Sequence, residues 1–338
     1  MKRTSPWSLF LLSALSLFSC GEQNNVADLF IYDDTDPFIA SLQKSLKASL
    51  LEKGIEIEVH NAQRKQSLQN SQVVKALEKN KGRPLLVNIV DRLSASVLIE
   101  KAQNEDTPLL FLNREPLKKD TIGNEWAKEN IYFVGSNPAY EGTAQSEIAY
   151  SYFGPAKDFK GSKFDKNGDG KIQVALFRGE LSHQDAEART KYALDGLRSF
   201  GYEIELSEVA YCDWEKSKGY DEMKKIALQG GNVELLLSNN DAMALGAIDY
   251  LKENRDDSLP FFDQYFPILG VDATKEGREA VEEGYMLGTV LNDGVTQAEV
   301  LASLYQTLTE GTPFPTLKEN VVQDGNFYKV KGEKIVKK

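Results

Sequence analysis

VELLLSNNDAMALGAIDYLKE, residues 233 to 253, contains the unit from which the fold is built. The apolar run VELLLS is typical of a buried strand, and AMALGAIDYLKE follows it with the apolar spacing of a helix. Asn239, Asn240 and Asp241 lie at the junction. A strand followed directly by an amphipathic helix predicts a βα unit of a parallel sheet, with polar side chains where the strand ends.

The same alternation continues along the chain from Ala27. The first strand-like run, ADLFIY, precedes a helical pattern that begins at Pro37 and ends at Gly54. Further strand-like runs are IEIEVH, PLLVNIV, PLLFLN, IYFVG, IQVALF, YEIELSEVA, FPILGV and MLGTVLN. These are too many strands for one compact sheet. The sequence therefore predicts an α/β fold with two doubly wound parallel-sheet domains.

No low-complexity linker separates the two predicted domains, so short connections are expected to join them. We expect crossings near Tyr132 to Gly135 and near Val290 to Leu291. The predicted division has a tether at 20–26, an N-terminal lobe of 27–133 plus 291–322, and a C-terminal lobe of 134–290 plus 323–338.

The N-terminus has the pattern of an export signal. Lys2 and Arg3 precede an apolar run from Trp7 to Phe18 that is too short to span a bilayer. LFSC, residues 17 to 20, resembles a bacterial lipobox, which predicts removal of residues 1–19 and lipid on Cys20. Two or more acyl chains would hold the protein stably at a membrane, facing the periplasm or the cell surface. Plain secretion with cleavage near Cys20 is the alternative.

Composition and charge exclude several classes of partner. The chain has 338 residues, of which 41% are apolar and 27% charged, as in an ordinary globular protein. Removing residues 1–19 takes two of the 40 basic residues and none of the 51 acidic ones, so the net charge changes from −11 to −13. An acidic exported protein is a poor candidate for binding nucleic acid. Once Cys20 is lipidated, Cys212 has no partner for an intramolecular disulfide.

Polar side chains follow six of the predicted strands. Ligands of open α/β sheets bind beyond the carboxyl ends of strands. Helix capping explains any one of these residues, but it does not explain an arginine and a histidine at one turn. Together with the aromatic residues Phe38 and Trp214, they suit a ligand with many hydroxyl groups. The polar residues at these strand ends are Asp33, Asp34, Thr35, Asp36, Asn113, His183, Asp185, Arg189, Asn239, Asn240, Asp241, Asp272, Asn292 and Asp293.

DKNGDGKIQ, residues 165 to 173, begins like an EF-hand calcium loop. Asp165, Asn167 and Asp169 occupy loop positions 1, 3 and 5, and Gly170 occupies position 6. Position 12, which should be a bidentate glutamate, is Leu176. A calcium site therefore needs a glutamate from elsewhere, and a simple Asx-rich turn is the alternative.

Several of these motifs occur in the order found in a known family. SHQDAEART (182–190), SNNDAMALGA (238–247), GVDA (270–273), GTVLND (288–293) and FLNREP (111–116) resemble the periplasmic galactose/glucose-binding family of bacterial sugar uptake. The resemblance runs from about residue 28 to the C-terminus. It implies two lobes joined by a three-stranded hinge, which close over a sugar.

The resemblance also implies roles for individual residues. Asp36 would bind the 4-hydroxyl, and Phe38 and Trp214 would stack on opposite faces of the sugar. The remaining polar contacts would be Asn113, His183, Asp185, Arg189, Asn240, Asp272 and Asn292. A structural calcium ion would be held by Asp165, Asn167, Asp169, the Lys171 carbonyl, Gln173 and the distant Glu234. The protein would act as a monomer that delivers D-glucose or D-galactose to an ABC permease, or that presents the sugar to a chemoreceptor.

This chain departs from the family pattern at three places. Pro37 replaces a polar residue beside Asp36, and Arg114 replaces a lysine after Asn113. The connection at 254–267 is longer. None of these changes removes a primary contact, although changes at the rim can alter the preference between sugars.

An enzyme is the main alternative. Paired carboxylates in a sugar cleft could act as a glycosidase, and His183 with Asp185 could form an acid–base pair. Against this, the chain has no GxSxG motif, no Walker loop and only two histidines. His60 lies in a strand-like run and is expected to be a surface or core residue. The export signal and the missing DNA-binding segment argue against a repressor. We therefore expect reversible binding without turnover.

Overall fold

The computed structural model describes residues 25–79, 82–122 and 124–337. Within them the strands are β1 Val26–Ile31, β2 Glu56–Asn61, β3 Leu85–Val87, β4 Leu109–Leu112, β5 Ile131–Ser136, β6 Ile172–Arg178, β7 Ile204–Tyr211, β8 Leu235–Ser238, β9 Ile268–Asp272, β10 Gly288–Leu291, β11 Val321–Asp324, β12 Phe327–Val330 and β13 Lys334–Val336. The helices are α1 Pro37–Leu51, α2 Gln66–Lys79, α3 Ala95–Asn104, α4 Lys118–Ile122, α5 Glu125–Asn130, α6 Pro138–Phe153, α7 Gln184–Ser199, α8 Lys216–Leu228, α9 Asp241–Glu253, α10 Phe261–Gln264, α11 Lys275–Glu283 and α12 Gly294–Glu310.

The strands form two sheets, as the sequence predicts. The first has the order β11-β12-β5-β4-β3-β1-β2, and the second has the order β13-β10-β9-β8-β6-β7. All strand pairs are parallel except β11 with β12 and β10 with β13. The chain passes between the sheets three times, after β5, after β10 and after β12. The α/β architecture of two parallel-sheet domains is confirmed.

Strand pairing corrects one boundary expected from the sequence. The sequence predicts residues 323–338 in the second lobe, but β12 pairs in parallel with β5 in the first sheet. The physical reason is that β11 and β12 form an antiparallel hairpin, and the Phe327 ring packs 5.8 Å from the ring of Phe133. Only β13 joins the second sheet.

Each sheet is covered on both faces. Alternate residues of β1 point to opposite sides, so Leu29 packs with α1 and α12, whereas Phe30 packs with α2 and α3. The second sheet likewise has one apolar cluster under α8 and α9 and another under α6 and α7. This burial on both faces explains why the central strands are continuous apolar runs rather than alternating ones.

Gly142 allows two helices of the second lobe to approach closely. A Cβ atom at Gly142 of α6 would lie 2.3 Å from the backbone oxygen of Arg189 on α7. Only glycine allows this approach, and the contact brings α6 against the turn of α7 that carries Arg189.

The predicted signal segment 1–19 and the predicted lipidation site Cys20 lie outside the described residues. Among the helices that the structure does describe, none has both the length and the apolar character needed to cross a membrane.

Candidate functional site

A cavity lies between the two lobes, at the carboxyl ends of the strands. Its wall contains all ten residues that the sequence analysis proposed for ligand binding, together with Tyr32 and Arg114. The proposed ten are Asp36, Phe38, Asn113, His183, Asp185, Arg189, Trp214, Asn240, Asp272 and Asn292. Residues from distant parts of the sequence are thus brought to one enclosed space.

Asp36 is the carboxylate of the first lobe. It caps α1, because its Oδ1 atom accepts hydrogen bonds from the backbone N–H groups of Phe38 (2.8 Å) and Ile39 (3.1 Å). Its Oδ2 atom accepts a 2.5 Å hydrogen bond from the Tyr32 hydroxyl. A carboxylate offers about four acceptor positions, so about one remains for a ligand.

Asn113 supplies a donor on the same side of the cavity. Its backbone has φ = 60°, a left-handed conformation that asparagine tolerates better than most residues. The Asn88 amide donates to Asn113 Oδ1 at 3.1 Å. One of the two acceptor positions on the Asn113 oxygen is therefore occupied, and its other acceptor position and its NH2 group are left for a ligand.

Arg189 is the centre of the second-lobe wall, and only 3% of its surface is exposed. Its Nε atom donates to Glu141 Oε2 at 2.6 Å. Its second terminal nitrogen lies 3.8 Å from Asp185 Oδ2 and 3.9 Å from Asp272 Oδ1. One buried cation thus compensates three carboxylates, and two of those carboxylates face the cavity.

Burial shifts the protonation of these groups in different directions. It raises the pKa of Asp185 to about 7 and the pKa of Asp272 well above its ordinary value, although Arg189 opposes both shifts. Burial lowers the pKa of His183, and the nearby Arg114 and Arg189 lower it further. His183 is therefore neutral. Its Nδ1 atom accepts from the Asp185 N–H at 3.2 Å, so the proton is on Nε2, which is a donor.

Two aromatic side chains, Trp214 and Phe38, supply the apolar part of the wall. Trp214 fits because residue 179 is glycine: a Cβ atom there would lie 2.1 Å from the indole ring. The Trp214 ring also meets His183 edge-on, with the ring centroids 4.9 Å apart. Phe38 is on the first lobe, where it packs beside Gly294. Flat rings of this kind can cover the C–H faces of a sugar.

Asn240 and Asn292 have structural partners as well as positions at the cavity. Asn240 caps α9 through Met243 N (2.9 Å), and its NH2 group donates to the Trp214 carbonyl at 3.2 Å. Asn292 donates to Asp272 Oδ1 at 3.2 Å. Capping and cavity lining are therefore combined in Asn240, rather than being alternatives.

Tyr32 and Arg114 are cavity residues that the sequence analysis did not propose. Tyr32 ends the apolar run ADLFIY and so has the pattern of a core residue. Arg114 was noted only as a departure from the family pattern. Its guanidinium lies 3.8 Å from the centre of the Tyr32 ring. The one sequence feature that could have indicated a role for Arg114 in the cavity was its position directly after Asn113.

Contacts between the lobes enclose the cavity. Arg114 of the first lobe forms an ion pair with Glu180 of the second at 2.9 Å. Arg64 forms another with Glu215 at 2.8 Å. The Gln184 amide of α7 donates to the carbonyl of Asn113 at 2.7 Å. The structure thus has the lobes closed against each other.

The loop at 165–173 meets the distant glutamate that the family resemblance implies for it. Glu234 stands just before β8, and its oxygens accept from the backbone N–H groups of Lys166 (2.5 Å) and Gln173 (3.0 Å). Asp165 accepts from Gly161 (2.7 Å) and Gly170 (3.2 Å).

The donor chemistry of this loop fits a hard cation. Asp165 and Glu234 are 6% and 1% exposed. Burial raises the pKa of Glu234, and the neighbouring Asp165 charge raises it further. Both side chains offer only oxygen atoms, and amide oxygens lie beside them. Carboxylate and amide oxygens are the ligands that calcium prefers.

A second group of candidate metal ligands lies at the edge of the first sheet. Among the described residues, Asp28, Glu58 and His60 have ligand atoms within 4.8 Å of one another. His60 Nε2 lies 2.8 Å from Asp28 Oδ1, and its ring stacks on Phe30 at 4.6 Å. A carboxylate–imidazole hydrogen bond accounts for this arrangement, in keeping with a structural role for His60.

The fold and the site agree with what comparison with known proteins finds. Residues 26–313 match the family model of the periplasmic binding protein domain, and the chain belongs to this family. The family resemblance drawn from the motifs is confirmed at this level. Members of the family bind substrates rather than transform them, so the expectation that the protein is not an enzyme is also confirmed.

Among curated relatives, the chain is 32% identical over 335 residues to the D-galactose/methyl-galactoside binding periplasmic protein of Haemophilus influenzae, covering 96% of this chain and 95% of the relative. It is 23% identical to the ribose import binding protein of Bacillus subtilis, covering 84% of each.

Solved structures share the fold. An ABC transporter periplasmic solute binding protein from Actinobacillus succinogenes with bound D-allose has a TM-score of 0.74 and 16% identity, covering 92% of this chain and 97% of the other. A solute binding protein from Bacillus halodurans with bound myo-inositol has a TM-score of 0.74 and 22% identity, covering 93% and 94%.

Proposed function

We propose that the protein captures D-galactose or D-glucose in the cavity between its lobes and delivers the sugar unchanged to an ABC permease. The observation that carries the proposal is the composition of the cavity wall. Carboxylates, amides, a neutral histidine and a buried arginine surround the cavity, and Phe38 and Trp214 complete its wall.

The wall matches the hydrogen-bonding needs of a hexose. Each sugar hydroxyl both donates and accepts, so the site must offer both kinds of group. Asp36, Asp185 and Asp272 accept. The NH2 group of Asn113 and Nε2 of His183 donate, as does Arg189. Such groups need no covalent chemistry to hold the ligand.

The size of the expected affinity is reasonable for this site. A micromolar Kd corresponds to about −8 kcal/mol. For a hexose of about twelve non-hydrogen atoms this is about −0.7 kcal/mol per atom, within the range for small ligands. Hydrogen bonds to charged groups are roughly twice as strong as neutral ones, and here they would be shielded from water.

The choice of sugar is tested by calorimetry with five ligands that the relatives and the family resemblance suggest: D-galactose, D-glucose, D-allose, D-ribose and myo-inositol. We expect micromolar binding of D-galactose, of D-glucose or of both, and at least about 100-fold weaker binding of the other three, because a lost or misplaced hydroxyl leaves buried polar groups unpaired. Trp214 fluorescence should change with the same Kd. Absence of heat with both D-galactose and D-glucose would overturn the proposal.

We also propose that the loop at 165–173 with Glu234 holds a structural calcium ion. The supporting observation is the pair of buried carboxylates, Asp165 and Glu234. Both lysines of the loop turn their Nζ atoms elsewhere: Lys166 donates to the Tyr265 carbonyl and Lys171 to Glu205. When bound, the ion would neutralise the carboxylates and tie the loop to β8.

Export and lipid anchoring at Cys20 remain part of the proposal, and they rest on the signal-like N-terminus. Radiolabelled palmitate should enter the full-length protein in cells and should fail to enter the Cys20→Ser variant. Label in both proteins, or in neither, would remove the anchor.

A further inference from the structure

Tyr32 contacts Asp36 and Arg114, two of the residues on the first-lobe side of the cavity. It is 1% exposed, and its hydroxyl donates to Asp36 Oδ2 at 2.5 Å. On its ring face the Arg114 guanidinium stacks at 3.8 Å. All three residues line the cavity. The tyrosine therefore touches both the main acceptor for a ligand and the cation that reaches the opposite lobe.

We propose that Tyr32 is the positioning residue that sets ligand selectivity at Asp36. This inference rests on the proposed function and deepens it. By occupying one position on Oδ2, Tyr32 leaves Asp36 with a single acceptor direction towards the cavity. The site then selects ligands that place a hydroxyl donor on that direction, and it rejects analogues with hydrogen, fluorine or an O-methyl group there.

The number of hydrogen bonds that Asp36 already accepts supports this inference. Phe38 N and Ile39 N both donate to Oδ1, which is thereby committed to capping α1. Without the tyrosine hydroxyl, Oδ2 would have two open positions, and a water molecule or a differently placed ligand hydroxyl could use either one. When the tyrosine hydroxyl occupies one position on Oδ2, a ligand hydroxyl can donate to this oxygen from one direction only.

The surroundings keep the tyrosine ring in place. The Arg114 guanidinium is itself fixed, because it donates to the Val90 carbonyl and pairs with Glu180 at 2.9 Å. Burial and the adjacent Asp36 charge raise the pKa of Tyr32 far above its ordinary value, so the hydroxyl stays protonated and remains a donor. A planar cation stacked on a buried ring restrains the ring more firmly than packing alone.

The test is a double-mutant cycle on the complete mature protein, with Tyr32→Phe, Asp36→Asn and the double variant. Phenylalanine keeps the ring under Arg114 and removes only the hydroxyl. We expect Tyr32→Phe to weaken binding of the tightest sugar of the five-ligand panel about tenfold. In the Asp36→Asn background the same change should cost less than about twofold, since the partner carboxylate is gone.

The matched control is Tyr305→Phe. Tyr305 is also 1% exposed and belongs to the same lobe, but it lies on α12 away from the cavity wall. It should leave the Kd unchanged. If Tyr32 contributed only by filling space, Tyr32→Phe would have little effect, or its effect would be the same in both backgrounds. Either result overturns the inference.

Selectivity provides the second measurement. With the complete set of monodeoxy and monofluoro derivatives of the same sugar, wild type should show its largest penalty at one hydroxyl position. That penalty should shrink at least about threefold in Tyr32→Phe, and penalties at the other positions should not change. Uniform penalties in both proteins would contradict the inference.

The outcomes separate the two proposals. If wild type binds no sugar of the panel, the proposed function fails. If wild type binds sugar but the cycle is additive, only the role of Tyr32 fails. Should Tyr32→Phe not fold, as judged by circular dichroism, Arg114→Met tests the same idea. It keeps the hydroxyl but frees the ring, and should reduce discrimination at the same sugar position; unchanged discrimination would count against the inference.

Discussion

The interlobe cavity and the loop at 165–173 both collect carboxylates and amides, yet they are compensated in different ways. In the cavity, Arg189 stands among Glu141, Asp185 and Asp272 and supplies a positive charge from the protein itself. In the loop, the buried carboxylates are held mainly by backbone N–H groups. This difference is in keeping with the two proposals, a neutral sugar in the cavity and a cation in the loop.

The largest expected effect comes from removing the charge that compensates the cavity. Arg189→Met should lower the free energy of unfolding by about 3–5 kcal/mol, because it leaves buried carboxylates unpaired. Sugar binding should be lost with it. Urea unfolding of the ligand-free protein measures the first effect, and calorimetry measures the second.

Arg198→Met is the matched control on the same helix. Its side chain is 54% exposed and its pair with Asp195 spans 3.5 Å at the surface. Exposed pairs of this kind contribute little, so the change should stay within about 0.5 kcal/mol. Equal destabilisation by the two substitutions would mean that the cavity does not depend on its own cation.

The proposed calcium ion of the loop is tested by chelation. If calcium is present at about a thousand times its Kd, it stabilises the fold by roughly 4 kcal/mol, and chelator should lower Tm by several degrees. Glu234→Gln should have a low Tm from the start and should not respond to chelator. The sugar Kd at a temperature where both forms are folded should change little, since the loop is outside the cavity wall. A Tm that ignores the chelator in wild type would indicate an empty Asx-rich turn.

Asp36 caps α1, and we propose that it also accepts a hydrogen bond from the ligand; the two roles predict separate costs. Asp36→Ala should weaken sugar binding about 100-fold, because a ligand donor and the Tyr32 hydroxyl lose a charged partner. It should also cost about 1 kcal/mol of stability through loss of the α1 cap.

Asn124→Ala separates these two costs. Asn124 caps α5 through Ala127 N at 3.3 Å and does not line the cavity. It should show the stability loss without the affinity loss. An Asp36→Ala variant with an unchanged sugar Kd would refute the binding role of Asp36.

Much of the site could be predicted from the sequence because its residues follow apolar strand patterns. Asp272 comes at the end of one such run and Asn292 directly after another, and parallel strands bring their carboxyl ends to one edge. Tyr32 could not be found this way, since it belongs to the apolar run itself. Glu141, the closest partner of Arg189, sits within a helix whose sequence carries no sign of its role.

The other features that the sequence did not predict are contacts between the lobes and the placement of one strand. Nothing local in the sequence pairs Arg64 with Glu215, or Arg114 with Glu180, because each pair joins residues that only the closed arrangement brings together. The placement of β12 in the first sheet has a similar cause. A short strand shows which residues alternate but not which sheet edge it joins.

The smallest expected effect is a pH dependence of sugar binding. It distinguishes Asp185, which lines the cavity, from Asp241, which is buried elsewhere. Burial raises the pKa of both Asp185 and Asp241 to about 7. Each folded-state pKa is above the unfolded value of about 3.9, so each group adds stability at low pH, and this is lost as pH rises through about 7. Asp241 is held by Thr274 and Thr289 and does not face the cavity.

A sugar hydroxyl that donates to Asp185 favours the ionised form and lowers its pKa, so binding near about pH 6.5 should release part of a proton. Affinity should then rise with pH by less than about tenfold between roughly pH 5 and pH 7. Titrations in buffers of different ionisation enthalpy measure the release. The Asp185→Asn variant should lack the proton release that comes from Asp185. Asp241 does not line the cavity and should contribute no proton release. Identical heats in all buffers for wild type would show that the ligand does not donate to Asp185, and the comparison between cavity and core carboxylates would lose its basis.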